Sequence, residues 1–370
     1  MKKLFFILWA FVLGSAFTYG NPDSILLQQN RMMLKLLSNS KVSTQIFLGY
    51  RDYLEGNNGY NEFVVKRGYI TFAKKLNKNI SAKLAPDITI DKEGDGMGDL
   101  EMRLKYCYID FHTDGDYWIF TNPKLLVGEI PTPWISFEEK INSFRIVSSQ
   151  YLDDMKLLTS ADFGVSTQVL LGGEISEEYQ KKVNGAYPGK YGSIAIGVYN
   201  GGGYHAIENN NNKTIQWRFS LRPIPNVLPG LQFSYAGTYG KGNTKLYPDW
   251  RTNTGVASYE SEHIVLTSQI YKSTGNYSGS FSDSLGIAYG ASGWNTFAEV
   301  KLFKNKVSLF GSYGIMNYDD MNQSDNELKR QIVGLAYHIY KRNKIVVDYQ
   351  RRVKNGDANG IFEVMLELSL

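Results

Sequence analysis

The chain has 370 residues, with 40 Lys and Arg against 36 Asp and Glu, four His and one Cys. One cysteine excludes an intramolecular disulfide framework, a Cys-rich zinc site and a CxxC redox centre, and a net charge of +4 is too small for a dedicated nucleic-acid binder. A mean hydropathy of -0.30 argues against a bundle of transmembrane helices. It allows a transmembrane β-barrel, because the strands of such a barrel are apolar only at every second residue.

Residues 1–20 have the pattern of a secretory signal peptide. A basic start precedes an apolar run over residues 4–13, and small and polar residues follow. The run is too short to span a bilayer as a helix, and we expect cleavage after Ala16 or Gly20. The alternative interpretation is an N-terminal membrane anchor.

Residues 21–40 form a short N-terminal segment that differs from everything after it. Apolar residues at near-helical spacing predict a short amphipathic helix, either periplasmic or inside a lumen. The alternative is a poorly ordered leader before the first strand.

From residue 41 to residue 370, apolar and polar residues alternate along segments that are long for strands. Alternation predicts half-buried strands, and the segment length suits the tilted strands of a membrane barrel. In residues 80–91 the even positions are apolar, and in residues 100–108 Leu100 to Tyr108 form an apolar even face. The sixteen predicted strands cover residues 42–52, 62–75, 79–91, 99–112, 122–130, 160–172, 189–200, 212–222, 230–240, 257–271, 278–289, 293–304, 305–314, 328–341, 343–352 and 359–369.

Turn lengths and aromatic residues favour an all-β, transmembrane antiparallel β-barrel of about 16 strands over a secreted sandwich or jelly roll. Tight polar turns, as at 341–344, alternate with long loops, as at 91–99, 201–212 and 241–256. Such a barrel leaves an aqueous lumen, its last strand pairs with its first, and fourteen or eighteen strands remain alternatives. Tyr and Trp near strand ends predict two aromatic girdles. These residues are Tyr106, Tyr108, Trp217, Tyr235, Tyr239, Trp294, Tyr313, Tyr337, Tyr340 and Tyr349.

Residues 131–160 are the longest segment without clean alternation. A connection of this length inside a compact fold is usually functional, and in a barrel it predicts a loop that folds inward and constricts the lumen. The alternative is an exposed loop that packs on its neighbours.

Four stretches carry a loose resemblance to a known family from about residue 60 to the C-terminus. They are FVVKRGYITF (63–72), VGEIPTPWISFEE (127–139), SADFGV (160–165) and GVYNGGGY (197–204). In order and spacing they resemble the Gram-negative outer-membrane porins of the phosphate-selective porin O/P type. The resemblance implies a 16-stranded outer-membrane channel, commonly a trimer, whose third external loop constricts the pore and which often prefers anions. The chain ends in Leu370, where many such barrels end in Phe.

The predicted facing of the strands assigns basic side chains to the lumen, where rows of Arg and Lys lower the barrier for anions. The alternative is that these side chains only pair across strands and fill the lumen. The candidate pore-lining and selectivity residues are Arg67, Lys83, Arg103, Lys105, Lys140, Arg145, Arg218 and Arg222.

The sequence thus predicts an outer-membrane porin for passive diffusion of small hydrophilic solutes, favouring anions such as phosphate. Its expected partners are those solutes, outer-membrane lipid and lipopolysaccharide, and two further copies in a homotrimer; no nucleic acid, catalytic residue, metal or cofactor is expected. Two alternatives stay open: a barrel-embedded, lipase-type enzyme using His263 near Ser261 and Ser268, and a non-conducting surface protein. The acidic loop at 91–96 lacks the Glu that an EF-hand needs at its twelfth position.

Overall fold

The computed structural model describes residues 26–31, 38–56, 59–91, 96–320 and 326–370. The predicted signal peptide and most of the segment 21–40 lie outside these residues, and so does part of the acidic loop at 91–96. Residues 26–31 are helical, which covers a part of the predicted N-terminal helix.

Antiparallel strands form one sheet that closes on itself. Each long strand pairs with the next, and β1 pairs with β17, with Leu48 opposite Leu366. A two-residue strand, β5, only extends a hairpin, so sixteen long strands build the wall, as predicted. The strands are β1 Ser40–Glu55, β2 Asn61–Lys75, β3 Ile80–Ile90, β4 Leu100–His112, β5 Asp116–Tyr117, β6 Phe120–Pro131, β7 Ala161–Leu171, β8 Gly192–Tyr199, β9 Thr214–Leu221, β10 Leu231–Lys241, β11 Asp249–Glu260, β12 Ile264–Thr274, β13 Gly290–Leu302, β14 Val307–Tyr318, β15 Asn326–Tyr340, β16 Asn343–Lys354 and β17 Asp357–Ser369.

Alternation decides which side of the wall each residue faces. In β3 the apolar even residues point outward, where Leu84 is 42% exposed, and the odd residues point inward, where Asp87 is fully buried. Closure gives each long strand two neighbours, so the described wall leaves no sheet edge unpaired.

A bulge in β4 breaks the predicted alternation. Ala85 pairs with Tyr106 and Pro86 with Leu104, so Lys105 is an extra residue without a partner in β3. An inserted residue shifts all later side chains to the other face. Lys105, Tyr106 and Tyr108 therefore face inward, and Cys107 is exposed on the outer surface. The prediction that Tyr106 and Tyr108 belong to an outer girdle is wrong for this reason.

Two predicted strands between residues 257 and 289 are wrong. The segment 257–271 is split by a tight turn, in which the hydroxyl of Ser261 accepts the backbone N–H groups of His263 and Ile264 at 3.4 and 3.0 Å. Residues 275–289 form a loop rather than a strand. The missed strand, β11, has Trp250 buried inward but Arg251 exposed outward, so its outer face lacks the expected apolar residues.

The connections differ at the two ends of the barrel. At the end where β17 finishes, which we call the turn end, tight turns cover residues 76–79, 303–306 and 341–342. The opposite end, the loop end, carries the long loops. The longest turn-end connection among the described residues, 172–191, contains the helix α3, Glu177–Lys182. The inward loop contains the two other helices named here, α1 Ile135–Ile141 and α2 Tyr151–Asp154.

The loop 132–160 folds into the lumen, as predicted. Its apolar side chains Ile135, Ile146 and Leu152 are fully buried. They belong to one apolar cluster with inward residues of the wall from β10 round to β1, which includes Phe310, Met365 and Phe47. The loop therefore lies against one half of the wall. No helix among the described residues has the length and apolar character needed to cross a bilayer.

The β4 bulge makes a testable prediction about the single cysteine. Because Cys107 faces outward, and the sequence predicts that this face contacts lipid, a maleimide that dissolves in the bilayer should label it in reconstituted protein, whereas a charged aqueous thiol reagent should not. Mass spectrometry of the intact chain measures both yields, with Cys107→Ser as the control. Rapid labelling by the aqueous reagent alone would place Cys107 in the lumen and contradict the bulge.

Candidate functional site

Aromatic stacking fixes the middle of the inward loop to the wall. The ring of Phe144 stacks on Phe310 with centroids 3.9 Å apart and planes inclined by 24°. Phe297 approaches the same ring at 6.1 Å. Buried aromatic pairs of this kind are worth about 0.5–1.5 kcal/mol beyond the burial of their area. The contact presses the loop against β13 and β14.

Polar groups of the wall bind the backbone carbonyl oxygens of the loop. The carbonyl of Val147 accepts from Lys66 Nζ at 2.5 Å and from Gln350 Nε2 at 3.1 Å. Because the loop has little regular structure, its carbonyl groups need such partners when water is excluded. Three further donors reach it: Lys344 Nζ to Ser143 O at 3.1 Å, Trp250 Nε1 to Leu157 O at 3.1 Å and Asn276 Nδ2 to Lys156 O at 3.2 Å.

An ion triad holds the second half of the loop. Asp154 accepts from Arg330 at 2.7 Å and also pairs with Arg352, so β15 and β16 both reach it. Burial disfavours the charged carboxylate, but the two guanidinium groups outweigh burial and lower the pKa of Asp154. The loop is thereby fixed at its middle by stacking and at its end by charge.

On the other side of the loop lies an open cavity of about 680 Å³, and its wall comes mainly from β1–β4, β6 and β7. Eight basic side chains line this cavity, against two acidic ones, Asp110 and Glu139. The cavity is strongly electropositive although the chain as a whole has a charge of only +4. The basic residues are Lys41, Lys83, Lys105, Lys124, Lys140, Arg145, Lys341 and Arg342.

Tyrosines are interleaved with these cations. Lys83 Nζ lies 4.8 Å from the ring centroid of Tyr106, and Lys105 Nζ lies 5.2 Å from that of Tyr69. The β4 bulge places Lys105 and Tyr106 side by side on the inner face. The rings stabilise the ammonium groups by cation–π interaction without neutralising them, so the positive potential persists.

The loop contributes one acid to the cavity wall. Glu139 Oε1 lies 3.5 Å from Arg145 Nε and 3.9 Å from Lys105 Nζ. Burial alone would raise the pKa of Glu139, but Lys105 and Arg145 outweigh it and lower the pKa. The carboxylate is therefore ionised, and it offsets one of the eight positive charges in the cavity.

The structure brings together four of the predicted selectivity residues. Lys83, Lys105, Lys140 and Arg145 all line the cavity. Their predicted role in selectivity stays a prediction.

Two further predicted residues, Arg67 and Arg103, face inward but lie outside the lining of the cavity. Both approach the buried Asp87, at 3.5 and 3.4 Å, and the hydroxyl of Tyr204 donates to the same carboxylate at 3.0 Å. Tyr204 comes from the loop 200–213, so this cluster also fastens a loop to the wall.

Arg218 and Arg222 differ from the prediction. Both point inward, but Arg218 is 0% and Arg222 1% exposed, so neither borders the open cavity. Arg218 is covered by the loop 132–160, and Arg222 donates to the carbonyl of Gly189 at 2.7 Å. Strand alternation predicts the direction of a side chain, but not what covers it.

Several lining residues were not predicted. Lys341 and Arg342 occupy a tight turn, where a basic pair gives no sign that it borders a lumen. Lys41 is the second residue of β1, and the inward facing of Tyr106 and Tyr108 depends on the bulge.

The residues of the enzyme alternative do not form a site. His263 is exposed in the turn between β11 and β12, and Nδ1 lies 3.4 Å from Asn305. The Ser261 hydroxyl is engaged in that turn, and Ser268 faces outward. Across the described part of the chain, no cluster of three or more His, Cys, Asp or Glu could hold a metal ion.

No family model and no curated protein sequence matches the chain, whereas solved structures do. An anion-selective porin from Comamonas acidovorans has a TM-score of 0.60 at 10% identity, covering 90% of this chain and 100% of that one. In-vitro folded OmpT of Vibrio cholerae, in a trimer form, has 0.56 at 8%, covering 90% and 99%. Salmonella typhi OmpF with daunomycin has 0.56 at 12%, covering 89% and 97%. This chain therefore has the barrel fold of outer-membrane porins.

Glu138, on the buried side of α1, makes the packing of the loop depend on pH. Burial raises the pKa of its carboxyl from 4.5 to about 8, and the amide donor Gln269 Nε2 lies 3.4 Å from it. Between these two pKa values the folded loop binds more protons than the unfolded loop, so its packing weakens as the pH rises. Hydrogen exchange of α1, at about pH 6 and about pH 9, should show lower protection at the higher pH after correction for intrinsic rates.

Glu138→Gln should remove most of that difference, because the amide is neutral throughout. The exposed Glu177→Gln is the matched control and should behave as wild type. An equal pH response in the wild type and in Glu138→Gln would contradict the assignment.

Proposed function

We propose that this protein is an outer-membrane porin of a Gram-negative bacterium, through which small hydrophilic solutes diffuse passively with a preference for anions. The observation that supports the proposal is the basic cavity beside the inward loop, with eight cations against two acids inside a closed barrel. Passive diffusion requires no catalytic group and no cofactor. The signal peptide predicted at residues 1–20 provides the export that this location requires.

Electrostatics explain why such a passage should prefer anions. A solute loses part of its hydration when it enters a narrow lumen, and fixed charges of opposite sign compensate for that loss. Among the described residues, Lys83, Lys124 and Lys140 have no acidic partner within ion-pair distance, so their charges are available to a solute in the cavity. The preference should fall as ionic strength rises, since salt screens the fixed charges.

Phosphate is the anion that the resemblance to the O/P-type porins suggests. The loop 131–160 carries four acids beside two Lys and one Arg, a composition that by itself opposes anions. Of these acids, only Glu139 borders the cavity. Asp154 is paired with two arginines, and burial keeps Glu138 largely neutral. The loop therefore opposes anions less than its composition suggests.

The proposal extends to the assembly and to the surroundings of the protein. A homotrimer in contact with outer-membrane lipid and lipopolysaccharide is the expected state, and one structure of similar fold is a trimer form. The exposed apolar residues on the outer faces of β3, β4 and β9 suit contact with lipid or with a second subunit.

Planar-bilayer recording of purified mature protein across a KCl gradient tests the function. We expect stepwise conductance and a reversal potential whose sign shows that anions cross more readily than cations. Steps with a cation-side reversal potential would retain the channel and reject the anion preference. Folded protein without any conductance would reject the porin and favour the surface-protein or enzyme alternatives.

The triple variant Lys83→Gln, Lys124→Gln, Lys140→Gln tests the cavity itself. It removes three cations that lack an acidic partner in the described part of the chain, so it leaves no carboxylate there unpaired, and it should shift the reversal potential towards zero. The control is Lys272→Gln, which removes a cation from the outer face of β12. An unchanged reversal potential in the triple variant would show that these lysines do not set selectivity.

A further inference from the structure

The long turn-end connection, residues 172–191, enters the lumen from the end opposite to the loop 132–160. In its helix α3, the side chain of Tyr179 is buried, whereas the side chain of Lys181 is 73% exposed. After α3 the chain turns inward, and Tyr187 lines the same cavity as Lys140 and Arg145. Two segments from opposite ends of the barrel thus border one passage.

The two segments touch at α1. The rings of Tyr187 and Phe137 lie 5.1 Å apart, and the Tyr187 hydroxyl is 3.4 Å from that of Ser136. Asn184 Nδ2 donates to the carbonyl of Lys140 at 3.0 Å and to Glu260 at 2.8 Å. The connection therefore contacts α1 along one side. Through Asn184 it links the last turn of α1 to β11.

Arg218 joins both segments to the wall. Its guanidinium lies 4.1 Å from the ring centroid of Phe137 and 4.9 Å from that of Tyr187. Nε donates to the carbonyl of Pro133 at 3.2 Å, just before α1. A buried cation usually has an acidic partner, but Arg218 forms no salt bridge with a described residue. Rings and carbonyl oxygens compensate its charge, and removing either segment would leave the cation poorly solvated.

The connection is itself anchored, so it can support α1. Arg222 donates to the carbonyl of Gly189 at 2.7 Å and lies 5.4 Å from the ring of Tyr179. Glu174 and Gly189 form an isolated antiparallel bridge across the base of the segment. Both ends of the segment that enters the lumen are thereby fixed to the barrel.

From these contacts we infer that residues 172–191 are a second constriction element of the passage, with Tyr187 as the residue that positions α1. The segment narrows the cavity from the turn end and holds Lys140 at its border. This inference rests on the proposed channel function. It adds that the size of the pore depends on both inserted segments rather than on the loop 132–160 alone.

Single-channel conductance of Tyr187→Ala and Tyr187→Phe tests the inference. The alanine variant removes the ring from the passage and from Phe137, so we expect a higher conductance and a weaker anion preference. The phenylalanine variant keeps the ring and should stay near wild type. Heat-modifiable migration on gels confirms that each barrel is folded.

A sided thiol experiment gives an independent readout. In a Cys107→Ser background, Tyr187→Cys should lose current when a bulky, membrane-impermeant thiol reagent is added on the turn-end side. Lys181→Cys lies on the exposed face of α3 and should react without any loss of current. Both positions belong to the same segment, so the pair separates blockage of the passage from labelling as such.

If wild-type protein conducts but Tyr187→Ala leaves conductance and reversal potential unchanged, the inference is overturned while the channel function stands. Complete labelling of the Tyr187→Cys variant without loss of current overturns it as well. If wild-type protein does not conduct at all, it is the proposed function that fails.

Discussion

The structure depends on how the wall satisfies the backbone of an irregular segment placed inside a barrel. A loop that has no hydrogen-bonded pairing with a neighbouring strand has backbone carbonyl groups without partners. These carbonyl groups must accept hydrogen bonds from other donors when the apolar side of the loop excludes water. The wall supplies side-chain donors at Val147, Ser143 and Leu157, and the stacking of Phe144 on Phe310 supplies the apolar contact. Apart from Lys66 of β2, these contacts come from β11, β14 and β16, and the open cavity lies on the other side of the loop. The position of the open cavity and the residues that line it follow from this attachment.

Strand facing could be predicted from the sequence wherever two conditions held: unbroken alternation and an apolar outer face. Residues 80–91 meet both, and β3 faces as predicted. In β4 the pattern Lys105–Tyr106 contains no mark of a bulge, since only the register with β3 shows that Lys105 is the extra residue. In β11 the outward residues Arg251 and Asn253 are polar, so the sequence did not indicate a strand there. The alternation continues across Ser261, so the sequence predicted one strand where two are present. The errors therefore occur where pairing or turn chemistry, rather than local pattern, decides the structure.

The candidate site could be predicted only in part, for a related physical reason. The predicted direction of the strand side chains places Lys83 and Lys105 in the lumen, and both line the cavity. Facing places Arg218 there too, yet it is fully buried because two segments remote in sequence meet over it. Whether an inward side chain is open to solvent depends on what fills the lumen. That filling is set by the loop 132–160 and the connection 172–191, whose positions come from tertiary contacts that no periodicity encodes.

The imbalance of charge in the cavity has a consequence for how the passage is occupied. Eight cations and two acids around about 680 Å³ cannot remain uncompensated, so mobile anions from the solution must reside there even when no solute is crossing. The passage therefore carries its own population of counter-ions. If the protein conducts as proposed, the number of charge carriers inside is set by the protein in dilute surroundings, and flux declines less than the external concentration does. Under the proposed function, an entering anion would then meet an occupied lumen and would move by exchanging places with an ion already present.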